Sequence, residues 1–470
     1  MASEDAGGAS PAPARSARAR AGRERASVAA LVLVCLALYG FGARQLADTG
    51  VYEYNDVLFR ADTRRAHADL TGPRDKVGRR SSTHPAFVLL HHPLGRGLTN
   101  GLAAAGLARP AARKVASATL TAAAGAASAV LALYVFRASG VRPLLAWAFA
   151  AVLAVSTAHW VFASVPETFI FSALGLAALT FVALQRPASE WRFQLAAVYS
   201  IAVLVSNAVP VAVFALFRHA RVRPKDWRDA RRSLVRAAGS TALALALVAA
   251  LGAVQQLVYP DAATARPTQL TRESRWVEWG RWLETPAKTA KILVRHFAVD
   301  SVLAPAAERS WNDGRPMASI EEAGRAAYRT RAVAFALWFA VLGVALAGAT
   351  RVLRRPAVLL ALALVAFNAA FHSLFGNDRI LYACNWTLFV LLVVACAFDA
   401  AGARARRLER PAAALLLAFL LAQLHGNARL FGEIRTAVAG LSAYPPASSR
   451  ANPSDAQRPD ERRGAPPGAE

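Results

Sequence analysis

Three aspartates, Asp56, Asp62 and Asp69, stand at short spacing in one polar stretch that also carries the arginine pair Arg64 and Arg65. A carboxylate at Asp56 or Asp62 could take the proton of an attacking hydroxyl, which is what group transfer to an alcohol requires. A guanidinium offers a planar fork for phosphate oxygens, so Arg64 and Arg65 are candidates to hold a phosphate. His84 follows in a His-Pro pair, Glu167 stands directly after Pro166, and Arg379 closes a short polar turn (376–379) between two apolar runs. Asp56 and Asp62 are thus the catalytic candidates; Arg64, Arg65, His84, Glu167 and Arg379 are the substrate- or phosphate-binding ones.

Each has a blander reading. The aspartates could pair with Arg60, Arg64 and Arg65 in a solvated loop, and spacing alone favours that role about two to one over catalysis. The arginine pair could anchor to lipid headgroups, and Glu167 could simply complement a helix dipole after a helix-starting proline. His84, His91 and His92 lie seven and eight apart, so one helix face could present them. Without a carboxylate or cysteine at matching spacing, packing or hydrogen bonding at the interface is a stronger reading than a divalent metal site, and no cofactor is called for.

The elements that must position these residues are apolar. The chain has 470 residues, 55% of them hydrophobic, and the apolar ones fall in blocks of bilayer-spanning length. The net charge of +25 is carried almost wholly by arginine, since Lys76, Lys114, Lys225, Lys288 and Lys291 are the lysines. The arginines cluster at helix ends, which fits retention on the cytoplasmic side rather than nucleic-acid binding. Cys35, Cys384 and Cys396 sit in apolar runs and read as packing residues.

The pattern predicts an all-α polytopic membrane protein of about ten transmembrane or half-spanning helices. Residues 1–26 read as a disordered cytoplasmic tail, 27–425 as the membrane domain, and 426–470 as a polar, largely disordered tail. Two long extracytoplasmic loops, 44–110 and 259–330, carry interfacial helices: one over 85–107, and one presenting Trp276, Trp279 and Trp282. Spans are expected over 27–43, 114–136, 144–161, 168–184, 234–258, 331–350, 357–375, 380–398 and 411–424. The block 193–217 precedes a strongly basic cluster, and Pro210 in SNAVP could split it into two half-helices.

With its elements in this order the sequence resembles bacterial polytopic glycosyltransferases of the GT-C superfamily. It is similar to the branch of the protein O-mannosyltransferases and lipid A sugar transferases. The resemblance covers roughly residues 40–399 and rests on YNDVLFRADTRR, HPAFVLL, SVPETFIFSALGLAAL, SNAVP and GNDRILY. It implies a polyprenyl-phosphate-sugar donor, an extracytoplasmic glycan, lipid or protein acceptor, and a bacterial inner-membrane location with a cytoplasmic N-terminus. It also implies a base in the first outer loop, Asp56 or Asp62, with Asp56 slightly favoured because it stands nearer the end of the first helix. Many relatives carry an adjacent acidic pair there, where this chain has Asn55-Asp56. The rival functions are a lipid or polysaccharide transporter and a non-catalytic membrane subunit of an envelope-assembly complex.

Overall fold

The computed structural model describes residues 12–78, 82–185, 189–219, 227–262, 277, 285–303, 305–320, 325–375, 379–402 and 409–444. In chain order the helices are α1 (Ala12–Leu46), α2 (Thr63–Thr71), α3 (Phe87–Ala104), α4 (Arg109–Ala138), α5 (Pro143–Val155), α6 (Thr157–Ser164), α7 (Phe169–Leu184) and α8 (Glu190–Val203). They continue with α9 (Ala208–His219), α10 (Trp227–Val258), α11 (Pro286–Arg295), α12 (Arg325–Arg329), α13 (Ala332–Val352), α14 (Pro356–Leu374), α15 (Cys384–Gly402) and α16 (Glu409–Ala437). Between α11 and α12 lies a hairpin of β1 (Glu308–Asn312) and β2 (Arg315–Ser319).

Among the described residues seven helices are long and apolar enough to cross a bilayer. They are Ala21–Leu46, Arg109–Ala138, Arg228–Val258, Ala332–Val352, Pro356–Leu374, Cys384–Gly402 and Arg410–Ala443. A bent pair, Pro143–Val155 with Thr157–Ser164, makes an eighth if taken as one span, while α7 and Val205–His219 are shorter apolar helices. This is the architecture of an all-α membrane bundle. Prolines sit in the first turns of α4, α5 and α14, where their missing amide leaves no bond unmade.

Three sequence expectations change. The 144–161 span is two helices that meet at Ser156 with a 53° bend. Its opened backbone is taken up by neighbours: Thr157 N–H donates to Val302 O at 3.0 Å, and Asn427 Nδ2 donates to Val155 O. The last helix runs to Ala437 instead of ending near Leu424, because Leu430, Phe431, Ile434 and Val438 recur at helical spacing and are buried. Residues 426–437 are therefore helix rather than tail. At the other terminus α1 begins at Ala12, inside the segment expected to be disordered, in an alanine- and arginine-rich run of high helix propensity.

The 193–217 block does break, but upstream of the proline. α8 stops at Val203, a 3-10 turn covers Val205–Asn207, and Pro210 lies in the first turn of α9. The segment 83–86 fills the break. Ala86 N–H donates to Ala202 O and Val205 N–H to Thr83 O, each at 3.0 Å. The 85–107 segment is α3, with Pro93 inside it, and it is not among the candidate spans.

The two ends of the bundle differ. α4 is about 45 Å long at the usual rise, and at its start Lys114 meets Glu53 at 2.8 Å and Ala47 O at 2.9 Å. At its far end Arg137 pairs with Glu24, Arg142 pairs with Asp399, and Arg351 donates to Ala400 O. Among the described residues the first polar loop lies at the first end and Arg137, Arg142 and Arg351 at the second.

Candidate functional site

The first polar loop is packed, not loose. Val51, Tyr54, Val57, Leu58, Phe59 and Ala61 are buried in the apolar cluster that also holds Trp160, Trp386 and Phe431. The loop pairs edge-on with β2: Phe59 N–H donates to Ala318 O at 3.0 Å, and Ala318 N–H donates to Val57 O at 2.9 Å. So the 44–110 and 259–330 loops meet. Within the loop Asp56, Phe59 and Arg60 have φ of 62°, 49° and 57°. Aspartate tolerates that region, but Phe59 and Arg60 are strained there, at about 1–3 kcal/mol each. Such strain persists only where the surroundings over-determine the backbone, and the β2 pairing does so here.

α2 follows directly. Asp62 precedes its first residue, yet its carboxylate makes no cap bond. Asn55 Oδ1 caps instead, accepting from Arg65 N–H at 3.1 Å, and the Asp62 carboxylate is left for the Arg65 side chain. Asp62, Arg65 and Asp69 stand at i, i+3 and i+7, so one helix face presents all three. Arg65 Nε lies 3.2 Å from Asp62 Oδ2, and Nη1 lies 3.1 Å from Asp69 Oδ2. Nη2 lies 3.9 Å from Glu167 Oε1, which arrives from the α6–α7 connection.

Three carboxylates thus share one guanidinium, and their surroundings differ. Glu167 accepts from Asp62 N–H at 2.9 Å, from Thr168 N–H at 2.6 Å and from the Thr168 hydroxyl at 2.9 Å. Its side chain is 1% exposed and that of Asp69 is 4% exposed. Burial pushes both carboxyls above their ordinary pKa, against the pull of Arg65. The Asp62 side chain is 21% exposed and is the open member of the set. Asp56, half-buried, lies one residue from the Asn55 cap, with its N–H donating to Ala61 O at 2.9 Å.

The structure therefore brings together Asp62, Arg65 and Glu167 of the sequence candidates, with Asp56 next to them along the loop. The Arg65 guanidinium lies against the Asp62, Asp69 and Glu167 carboxylates. Arg64 is half-buried and has no ion pair or hydrogen bond among the described residues. His84 is buried elsewhere, its Nδ1 2.8 Å from Val203 O in the broken α8–α9 block. There it works as part of the clamp that fills the break. Arg379 begins a 3-10 turn to Tyr382, whose ring lies 4.9 Å from Phe169, two residues after Glu167. This brings the backbone of the turn to the same end; the Arg379 side chain, Asp378, Trp276, Trp279 and Trp282 lie outside the described residues.

The other histidines are dispersed. His91 Nε2 meets the Tyr199 hydroxyl at 3.2 Å, and His92 contacts the Tyr259 hydroxyl and Gly72 O at 3.0 Å each. Among the described residues no three His, Cys, Asp or Glu side chains are grouped to hold a metal ion.

Sequence reasoning marks Asp69 among the loop aspartates but gives it no site role, although its helical spacing to Asp62 and Arg65 is visible. It also misses an aromatic run leading inward from Phe169: Tyr382 stacks on His372 at 4.4 Å, His372 meets Trp386 at 5.3 Å, and Trp386 stacks on Phe297 at 4.3 Å. In the same helical turn Trp386 Nε1 and Asn385 Oδ1 are buried without a hydrogen-bond partner among the described residues. Groups of that kind call for a water or ligand atom. Nothing local in the sequence signals it, because the run joins α7, α14, α15 and the 296–300 turn. A scan against models of known protein families finds no match, and neither does a comparison with curated proteins.

Proposed function

We propose that the chain is a GT-C-type membrane glycosyltransferase that moves a sugar from a polyprenyl-phosphate donor to a hydroxyl of an extracytoplasmic glycan, lipid or protein. The observation that carries this reading is the Asp62 carboxylate: partly open, oriented by Arg65 beside two buried acids, next to Arg64, which has no ion pair among the described residues, at one end of a membrane bundle. In this mechanism Asp62 takes the proton of the acceptor hydroxyl as its oxygen bonds to the sugar C1. The bond from C1 to the phosphate oxygen breaks on the opposite face, inverting the centre. The polyprenyl phosphate leaves as a stable anion, so no acid is needed; Arg64 and Arg379 supply positive charge for it. Asp56, on the strained turn just ahead, is the alternative base.

The gathering of Arg137, Arg142 and Arg351 at the end away from this site supports a cytoplasmic N-terminus and an outward-facing site in a bacterial inner membrane. The test supplies isolated membranes with labelled polyprenyl-phosphate sugars and compares wild type with Asp62→Asn and the Asp56→Asn/Asp62→Asn pair. Transfer should fall at least about a hundredfold on loss of the base, with the protein still in the membrane fraction. Undiminished transfer by the double variant would sink the base assignment, and no transfer of any label by wild type would favour the non-catalytic subunit.

A further inference from the structure

A second feature lies at the other end of the bundle. Between α7 and α8 runs a shallow, open groove of about 460 Å³ along Phe181, Val182, Leu195 and Ala196, with Tyr199 at one end and Trp191 and Arg192 at the other. Such an open trough suits a chain laid along the surface rather than a ligand enclosed on all sides. Trp191 and Leu195, 62% and 60% exposed, leave large apolar surfaces bare along it. α7 starts beside Glu167, so its C-terminal end and the start of α8 are remote from the carboxylate cluster. That end carries a tryptophan and an arginine, the residues that settle at the headgroup layer.

Charge decides what fills the groove. Glu190, two residues before Arg192, is taken by Arg218 at 2.8 Å. Arg192 has no carboxylate partner among the described residues; its recorded contact is the Trp191 ring, at 5.4 Å from the centroid. Among the described residues a cation without a carboxylate partner therefore stands at the mouth of an apolar trough. From Arg192 to Tyr199 the helix rises about 10 Å, and there Tyr199 is fixed by His91 of α3. The trough takes the upper part of one acyl chain, and a long isoprenoid would overrun it.

We infer that the α7–α8 groove binds one acyl chain of an anionic phospholipid of the leaflet opposite the carboxylate cluster, with the lipid phosphate on Arg192. This does not depend on the proposed transfer reaction. α8 ends at the break clamped by 83–86, so a bound lipid would brace the helix that holds the end of the first loop.

The experiment places the full-length protein in nanodiscs of defined mixtures of an anionic and a zwitterionic phospholipid, then counts retained lipids by native mass spectrometry. Wild type should keep one anionic phospholipid in preference to the zwitterionic one. Arg192→Gln should weaken that retention about tenfold, the worth of one charged contact of about 1.4 kcal/mol, and Leu195→Trp, which fills the trough, should abolish it. Equal retention of both lipids by wild type would overturn the inference, as would retention untouched in Arg192→Gln. A dimer mass that disappears in Leu195→Trp would also overturn it, assigning the groove to a second copy. If Leu195→Trp does not fold, the wild-type competition and the exposed Arg192→Gln variant decide the matter alone.

Discussion

Replacing Arg65 by methionine separates the two roles a guanidinium can have in this loop. The substitution keeps most of the apolar stem and removes the charge. It deletes the contacts to Asp62 at 3.2 Å and Asp69 at 3.1 Å, and among the described residues it leaves Asp69 and Glu167 buried without an ion-pair partner. Removing one partner of a buried ion pair costs about 3–5 kcal/mol, and here two acids are stranded. The variant can escape only by protonating them. Both carboxyls already have raised pKa values in the folded state, so their contribution to stability is largest below the ordinary carboxylate pKa and is lost as pH rises through the folded value. Without Arg65 those values rise further, and the penalty should grow with pH by up to about 1.4 kcal/mol per unit for each carboxyl concerned. Unfolding in detergent, followed by tryptophan fluorescence from about pH 5 to about pH 8, should show Arg65→Met close to wild type in acid and far below it at neutral pH. Adding Asp69→Asn should recover part of the loss, because the pair is coupled. If Arg65→Met instead stays within about 0.5 kcal/mol of wild type at every pH, while KM for donor rises, then Arg65 is a phosphate ligand and its carboxylate contacts are incidental.

Three further outcomes follow from the same geometry. Asp300 is fully buried, with Arg295 Nε at 2.8 Å and His296 Nδ1 at 3.2 Å, and burial pushes its pKa up to about 7 against the pull of Arg295; its contribution to stability is present below about pH 4 and lost as pH rises towards 7, so Asp300→Asn should flatten the stability–pH slope over that window, and an unchanged slope would contradict the assignment. His84→Ala should cost about 1–3 kcal/mol in thermal unfolding by leaving the Val203 carbonyl unpaired in the broken block, whereas a phosphate-binding histidine would leave stability alone and raise KM. A Cβ on Gly348 would stand 1.9 Å from Ala397 O and 2.8 Å from Ala401 N, both backbone of α15; Gly348→Ala should therefore force α13 and α15 apart and lower stability by about 1–3 kcal/mol.

What could be read from the chain beforehand divides along physical lines. Hydropathy located the apolar helices, since a span is a local property of about twenty residues. It ended the last helix too early because Arg429, Glu433 and Arg435 lower the average, although the apolar period through Leu430, Phe431, Ile434 and Val438 continues. The β1–β2 hairpin had its own signal: Asp313-Gly314 is the two-residue connection, with φ of 50° and 73°, the primed-turn pattern that Asp-Gly favours. The bend at Ser156 had none. Its opened amides are satisfied by Ser301 and Val302, more than 140 residues away, and no local window contains both halves.

The same distinction explains why the acid loop could be noticed but not resolved. Asp62, Arg65 and Asp69 are a helix-face pattern and were legible, but whether Arg65 serves a ligand or the protein depends on Glu167, which comes from another connection. Glu167 stands where it does because α5 and α6 part at Ser156, with Asn427 and the 301–302 backbone taking up the opened groups. The strained turn at Asp56 to Arg60 stands where it does because β2 takes its edge. Each piece of the candidate site is thus held by a polar insertion into an otherwise apolar bundle. Such insertions cost free energy unless every group is paired. Here the opened backbone at Ser156 and the Asp62, Asp69 and Glu167 carboxylates have their partners, and those of Ser156 and Glu167 come from segments far apart in the chain.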